Sequence, residues 1–317
     1  MAETTILAAV FFAVSFLLGV IAVKWLAGRN FKKGLIGIDI NKPGLKKIPE
    51  STGFALLLPV WICALAFFAL SNDMNVLLWA LMVSGFALVG FYDDKKPKFL
   101  SETRKWSYRA LIIAAISLAF AAFFFKKPEE IILASLFLAG IASFENTFAG
   151  LNGWEIGSGF ILSVFFALLL LNTAYFPLAL ALGGAILALL TYNVFPAKVF
   201  PGDSGTLLIG SGLAGIMILT KDFSLMAVSF LFFIPHIIDF TAKLLTNPSD
   251  PSQRKALPYH LLKDQKIALP EKGKGSRKYD FAKILLKICG PMGEKRIVLL
   301  IWAILIVNCI IVFLLLA

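Results

Sequence analysis

Ten apolar stretches, at residues 5–26, 52–70, 76–92, 110–125, 131–148, 158–171, 176–195, 206–220, 224–245 and 296–317, constrain this chain more than any other feature. A helix rises about 1.5 Å per residue, so about 20 apolar residues cross the roughly 30 Å hydrocarbon core of a bilayer. Most of the stretches reach that length and a few fall short of it by several residues. A backbone in lipid must satisfy its own hydrogen bonds, and helices do so within one segment. The expected fold is therefore all-α: a polytopic membrane protein of about ten transmembrane helices, with residues 1–317 forming one integral-membrane domain. Only 15% of the residues are charged, against roughly 25% in a soluble domain. This excludes an ordinary soluble enzyme and a disordered chain. The three cysteines are far apart and form no CxxC pair, so they give neither a disulfide framework nor a zinc site.

Basic residues set the orientation. With both termini outside, 27 of the 30 Lys and Arg fall on the inner side, leaving Lys126, Lys127 and Lys221 outside. Cytoplasmic loops carry this excess. The net charge of +11 is then a consequence of topology, and no basic stretch has the motif chemistry of a nucleic-acid binder. The outer connections are very short. The inner ones are longer and varied, the longest being a basic loop over 246–295. Function is expected on the cytoplasmic face of a multi-pass protein of the cell membrane.

Polar residues gather in the inner segments. Glu50 stands two residues before the second span; alone, it belongs to a connector whose lysines meet acidic headgroups. Asp93 and Asp94 close the third span, ahead of Lys95, Lys96, Lys98, Arg104, Lys105 and Arg109. Adjacent carboxylates repel unless a cation, a proton or basic neighbours offset them; alone, the pair terminates a helix. Glu145 and Asn146 occupy the last turns of an apolar helix, where polar groups are costly. Gly150, Asn152 and Gly153 follow, and glycines there allow a tight turn and close approach to a ligand. Asp203, between Gly202 and Ser204, stands at the mouth of the eighth span. It can hold a cation beside a phosphate at the helix N-terminus, or simply cap its helix.

The last inner loop offers Arg254, Lys255 and His260, and a lone His in such a loop is solvated by default. Pro235 interrupts the ninth span and predicts a kink. His236 and Asp239 follow it and are expected to face the bundle as a structural polar pair.

In order and location these segments resemble the polyprenyl-phosphate N-acetylhexosamine-1-phosphate transferases. The nearer branch is the dolichyl-phosphate N-acetylglucosamine-phosphotransferases, in an archaeal-type form. Its D-x-N-K and P-E-S-x-G patterns are similar to Asp39–Lys42 and Pro49–Gly53. Its G-F-x-D-D resembles Gly90–Asp94, its N-x-x-A-G-x-N-G resembles Asn146–Gly153, and its P-x-x-V-F-x-G-D resembles Pro196–Asp203. Bacterial members usually have D-G-x-D-G where this chain has Ala149-Gly150-Leu151-Asn152-Gly153. The Arg-His-Arg cluster of the nearer branch is reduced here to Arg254, Lys255 and His260.

The resemblance implies transfer of GlcNAc 1-phosphate from a UDP-sugar to a polyprenyl or dolichyl phosphate, with release of UMP. It assigns the metal, Mg²⁺ with Mn²⁺ as the substitute, to Asp203 and Asn146. Asp93 and Asp94 would orient the acceptor phosphate or take its proton. Lys105 would contact phosphate, Phe200 would stack on uracil, and the turn through Gly150 and Asn152 would read its edge. Arg254, Lys255 and His260 would meet the sugar or diphosphate, and Glu50 would line the same face. Membrane lipid is the other partner, and a homodimer is left open. The alternative is a polytopic membrane transporter with a cytoplasmic-side anion site. Transporters usually bind near the bilayer centre between repeated halves; this sequence has no internal repeat, and most of its acids sit at inner helix ends.

Overall fold

The computed structural model describes residues 2–42, 45–95, 102–247, 256–270, 275–276 and 278–316, without the side chains of 2, 3 and 102–106. Each of the ten apolar stretches is helical. In chain order the helices are α1 (Ala2–Lys32), α2 (Leu57–Ser71), α3 (Asn75–Asp94), α4 (Glu102–Phe124), α5 (Pro128–Thr147) and α6 (Trp154–Leu169). There follow α7 (Phe176–Asn193), α8 (Gly202–Thr220), α9 (Phe223–Leu231), α10 (Ile234–Leu245), α11 (Phe281–Cys289) and α12 (Glu294–Leu316). A 3-10 turn, Thr52–Leu56, leads into α2. Eight helices among the described residues are long and apolar enough to cross a membrane, and the bent pair α9–α10 makes a ninth if counted as one span. The sixth stretch, α6, is apolar but only 16 residues long.

Buried α8 forms the centre. Every residue from Ser204 to Leu219 is buried, with α3 and α5 packed on either side. Small residues along α8 permit that closeness, since lipid tails supply no hydrophobic drive between helices and packing must do so. Trp79 of α3 donates to the Gly212 carbonyl at 3.0 Å, tying the two helices within the core.

The expected kink is a bend of 62° between α9 and α10. Pro235 has no N–H to give, so the Leu231 carbonyl loses its partner four residues on. Asn308 of α12 replaces it, donating to Leu231 O at 3.2 Å and Phe232 O at 3.1 Å. His236 and Asp239 are both fully buried, but they face different partners. His236 Nε2 lies 3.3 Å from Glu145 Oε2. Asp239 pairs with Lys243 at 2.7 Å and accepts the Phe281 N–H at 2.8 Å.

Two short hairpins went unseen in the apolar pattern: β1 (Ile36–Asp39) with β2 (Lys46–Pro49), and β3 (His260–Leu261) with β4 (Ile267–Ala268). The stretch 246–295 is thus more than a loop. It carries β3, β4 and the amphipathic α11, whose N-cap Asp280 accepts from the Lys283 N–H. Tyr259 donates to Asp280 at 2.8 Å; burial, and then the Asp280 charge, push its phenol well above the ordinary value. Cys63 and Cys309 are buried, Cys289 is exposed, and all three are free.

Candidate active site

Helices that run up and down in succession bring the ends of α3, α5 and α7 and the starts of α2, α6 and α8 to one end of the bundle. The loops there are zipped together by backbone bonds. Phe200 N–H donates to Pro49 O at 2.8 Å, Thr52 N–H to Phe200 O at 3.1 Å, and Gly53 N–H to Pro201 O at 2.9 Å. The segment around Glu50 and the segment around Phe200 are 150 residues apart in sequence, yet they lie side by side. Asn193 joins the next two, accepting from Gly153 N–H at 3.2 Å and donating to Val199 O at 3.0 Å. Lys243 of α10 donates to the carbonyls of Thr147 and Ala149, closing the end of α5.

Between these segments lies a cavity of about 330 Å³. Glu50, Asn146, Gly150, Asn152, Phe200 and Asp203 all line it, so six of the residues singled out in the sequence share one space. Phe200 rests on Gly37, where an added Cβ would come within 2.8 Å of the ring. Thr206 donates to Asn146 Oδ1. Asp39 and Glu155 add two more carboxylates to the wall.

The paired aspartates have different environments. Asp94 is buried, and its carboxylate accepts from Ser51 Oγ at 2.7 Å, Asp203 N–H at 2.7 Å and Ser204 N–H at 3.3 Å. It caps α8 from another helix, satisfying first-turn donors that have no partner within their own helix. Asp203 is therefore not the cap: the N-cap residue is Pro201, which makes no side-chain cap bond. The Asp203 side chain instead meets Arg109, whose Nη1 lies 2.8 Å from Asp203 Oδ2 and 2.7 Å from Asp93 Oδ2. One guanidinium thus links the end of α3, the start of α8 and helix α4.

Asp93 adjoins the cavity through that link without lining it. His260 is exposed on β3 and is not among the lining residues. The side chain of Lys105, and Arg254 and Lys255 altogether, lie outside the described residues. Sequence reasoning gave Arg109, Ser51 and Glu294 no role. Arg109 carried a signal, being one helical turn beyond Lys105 and on the same face.

Four carboxylates on one cavity wall repel an anion unless cations accompany it. The oxygen donors of Asp203 and Asn146 suit Mg²⁺, which takes one or two protein oxygens and completes its octahedron with substrate oxygens and water.

Fold and site together define a polytopic membrane protein with an acid-lined polar cavity at one end of its bundle. Residues 76–221 match glycosyl transferase family 4. A provisionally named glycosyltransferase of Methanocaldococcus jannaschii is 31% identical over 74% of each chain. The phospho-N-acetylmuramoyl-pentapeptide-transferase of Acetivibrio thermocellus is 30% identical over 66% of this chain and 71% of its own. A Saccharolobus solfataricus protein, provisionally named UDP-N-acetylglucosamine–dolichyl-phosphate N-acetylglucosaminephosphotransferase, is 25% identical over 74% of this chain and 77% of its own. The chain belongs to glycosyl transferase family 4, the polyprenyl-phosphate N-acetylhexosamine-1-phosphate transferases.

Proposed function

We propose that the protein transfers GlcNAc 1-phosphate from UDP-GlcNAc to a polyprenyl or dolichyl phosphate on the cytoplasmic side of the membrane. Family membership supports transfer of a hexosamine 1-phosphate to a polyprenyl phosphate. The name of the Saccharolobus relative favours GlcNAc and a UDP donor. The single observation that carries the reading is that Asp203, Asn146, Phe200 and Asn152 share one cavity, with Arg109 and Asp93 at its edge.

In the reaction an oxygen of the lipid phosphate attacks the β-phosphorus. The bond from that phosphorus to the bridging oxygen breaks, and UMP leaves with the oxygen. The acceptor is already anionic, so the protein's work is positioning and charge neutralisation. Phe200 stacks on the uracil and the Gly150–Asn152 turn meets its edge. Asp93 orients the acceptor phosphate or takes its remaining proton. Asp94 holds the α8 N-terminus in place and acts through it. Asp203 and Asn146 would hold Mg²⁺, which when bound neutralises charge on the pyrophosphate.

Arg109 then has two duties. It neutralises Asp203 and Asp93, and with substrate it turns to phosphate. Arg109→Gln is therefore expected to lower turnover about tenfold to a hundredfold, yet to bind Mn²⁺ more tightly by paramagnetic resonance, because an internal competitor for Asp203 is gone. Weaker Mn²⁺ binding would exclude the competition.

The whole reading is tested in membrane vesicles. Inverted vesicles should release UMP only when UDP-GlcNAc, a lipid phosphate and Mg²⁺ are all supplied, and right-side-out vesicles should release none. UMP without lipid phosphate would rule out the transferase, and activity in right-side-out vesicles would rule out the orientation.

A further inference from the structure

Asn152 is held on two sides by carboxylates that are distant in sequence. Its Nδ2 donates to Asp39 Oδ2 at 2.9 Å, and its backbone N–H donates to Glu294 Oε1 at 2.8 Å. Lys42 joins the two acids. Its Nζ lies 3.5 Å from Asp39 Oδ2 and bonds Glu294 Oε2. Asp39, Asn152 and Glu294 are only 4%, 6% and 5% exposed, so water screens these contacts little. The arrangement straps the β1–β2 hairpin, the turn before α6 and the start of α12 together at the cavity wall, which Asp39 and Asn152 line. Glu294 opens α12 and lies outside every sequence motif and outside the family match at 76–221.

The strap has a chemical consequence. A carboxylate only accepts hydrogen bonds, so the Asn152 amide must turn its NH₂ toward Asp39. One of its two N–H groups is used in this way, and Oδ1, the only acceptor of the amide, is the atom we assign to a ligand in the cavity that Asn152 lines. A base edge with N–H at that point is bound. A base edge with a lone pair there sets two acceptors against each other, and sites built on such a bond discriminate strongly. Uracil presents N3–H, whereas cytosine presents N3 as an acceptor.

We propose that Asp39 and Glu294, joined through Lys42, are positioning residues that fix the Asn152 amide and thereby make the site select uracil over cytosine nucleotides. The inference rests on the reading above that Asn152 meets the nucleobase. Asp39 sets which end of the amide faces the ligand, and Glu294, bonded to the Asn152 N–H and to Lys42, keeps the amide within reach of Asp39, so that losing Glu294 frees the amide to turn. Lys42 offsets the repulsion between two buried acids, which would otherwise drive the strap apart.

The test is titration calorimetry of UMP and of CMP against the full chain in detergent with Mg²⁺. Wild type is expected to prefer UMP. Glu294→Gln keeps the shape but puts an NH₂ at one of the two oxygen positions, so that either the Asn152 N–H or Lys42 faces a donor in place of its acceptor. It should bind UMP about tenfold more weakly and lose most of its preference over CMP. Glu294→Ala should go further, and if it does not fold, the Gln variant still decides. A purely structural role would weaken UMP and CMP alike and keep their ratio; that result, or an unchanged ratio at full affinity, overturns the proposal. A wild type that binds both nucleotides equally overturns instead the nucleobase reading of Asn152.

Discussion

Asp203→Ala is expected to lower turnover by about 10³-fold while leaving the folded protein intact. The side chain lines the cavity and pairs with Arg109, which keeps its pair with Asp93 after the substitution. The cap of α8 depends on the backbone N–H of residue 203, which Asp94 accepts at 2.7 Å and the substitution leaves untouched. What is lost is the charged protein ligand assigned to Mg²⁺, and with it neutralisation of the pyrophosphate. Mn²⁺ binding by paramagnetic resonance should weaken together with UMP release, whereas the thermal midpoint should stay near that of wild type. Wild-type turnover with the same Mg²⁺ requirement would show that the ion is held elsewhere.

Gly90→Val should cost nearly as much, by geometry alone. A Cβ at Gly90 would stand 2.3 Å from the Asp203 carbonyl oxygen and 2.4 Å from the Ser204 nitrogen. Both are backbone atoms of the first turn of α8 and cannot swing aside as a side chain can. Gly90 and Asp94 are four residues apart on one face of α3, so a bulkier residue pushes α8 away at the point where Asp94 grips it. Gly202 is constrained from the other side: its φ is +68°, and an added Cβ would lie 2.3 Å from Asp94 Oδ2. A displacement of about 1 Å at a reacting centre lowers rates by about 10²-fold, and Gly90→Val should lose at least that. The comparison is Gly140→Ala, where the new methyl meets nothing closer than the Phe144 ring at 3.8 Å and activity should persist. Equal activity in the two variants would mean that the α3–α8 contact does not set the site.

The sequence by itself determined where the helices are, because the drive to leave water sums over neighbouring residues and is readable along the chain. Its ten apolar stretches are ten helical regions, and Pro235 announced a bend that its missing N–H makes unavoidable. It also marked most of the cavity wall, since Glu50, Asn146, Asp203 and their neighbours sit at helix ends where an apolar span has no use for them. Only the tertiary structure decided what each polar group does. Asp93 and Asp94 are identical in type and adjacent, yet one pairs with Arg109 and the other caps α8. That division depends on partners 16 and 109 positions away. The strap under Asn152 reaches 142 residues to Glu294, and Lys42 reaches 252. Hydrogen bonds and ion pairs are short-ranged and directional, so their partners are set by how the helices pack, which no local window of sequence contains.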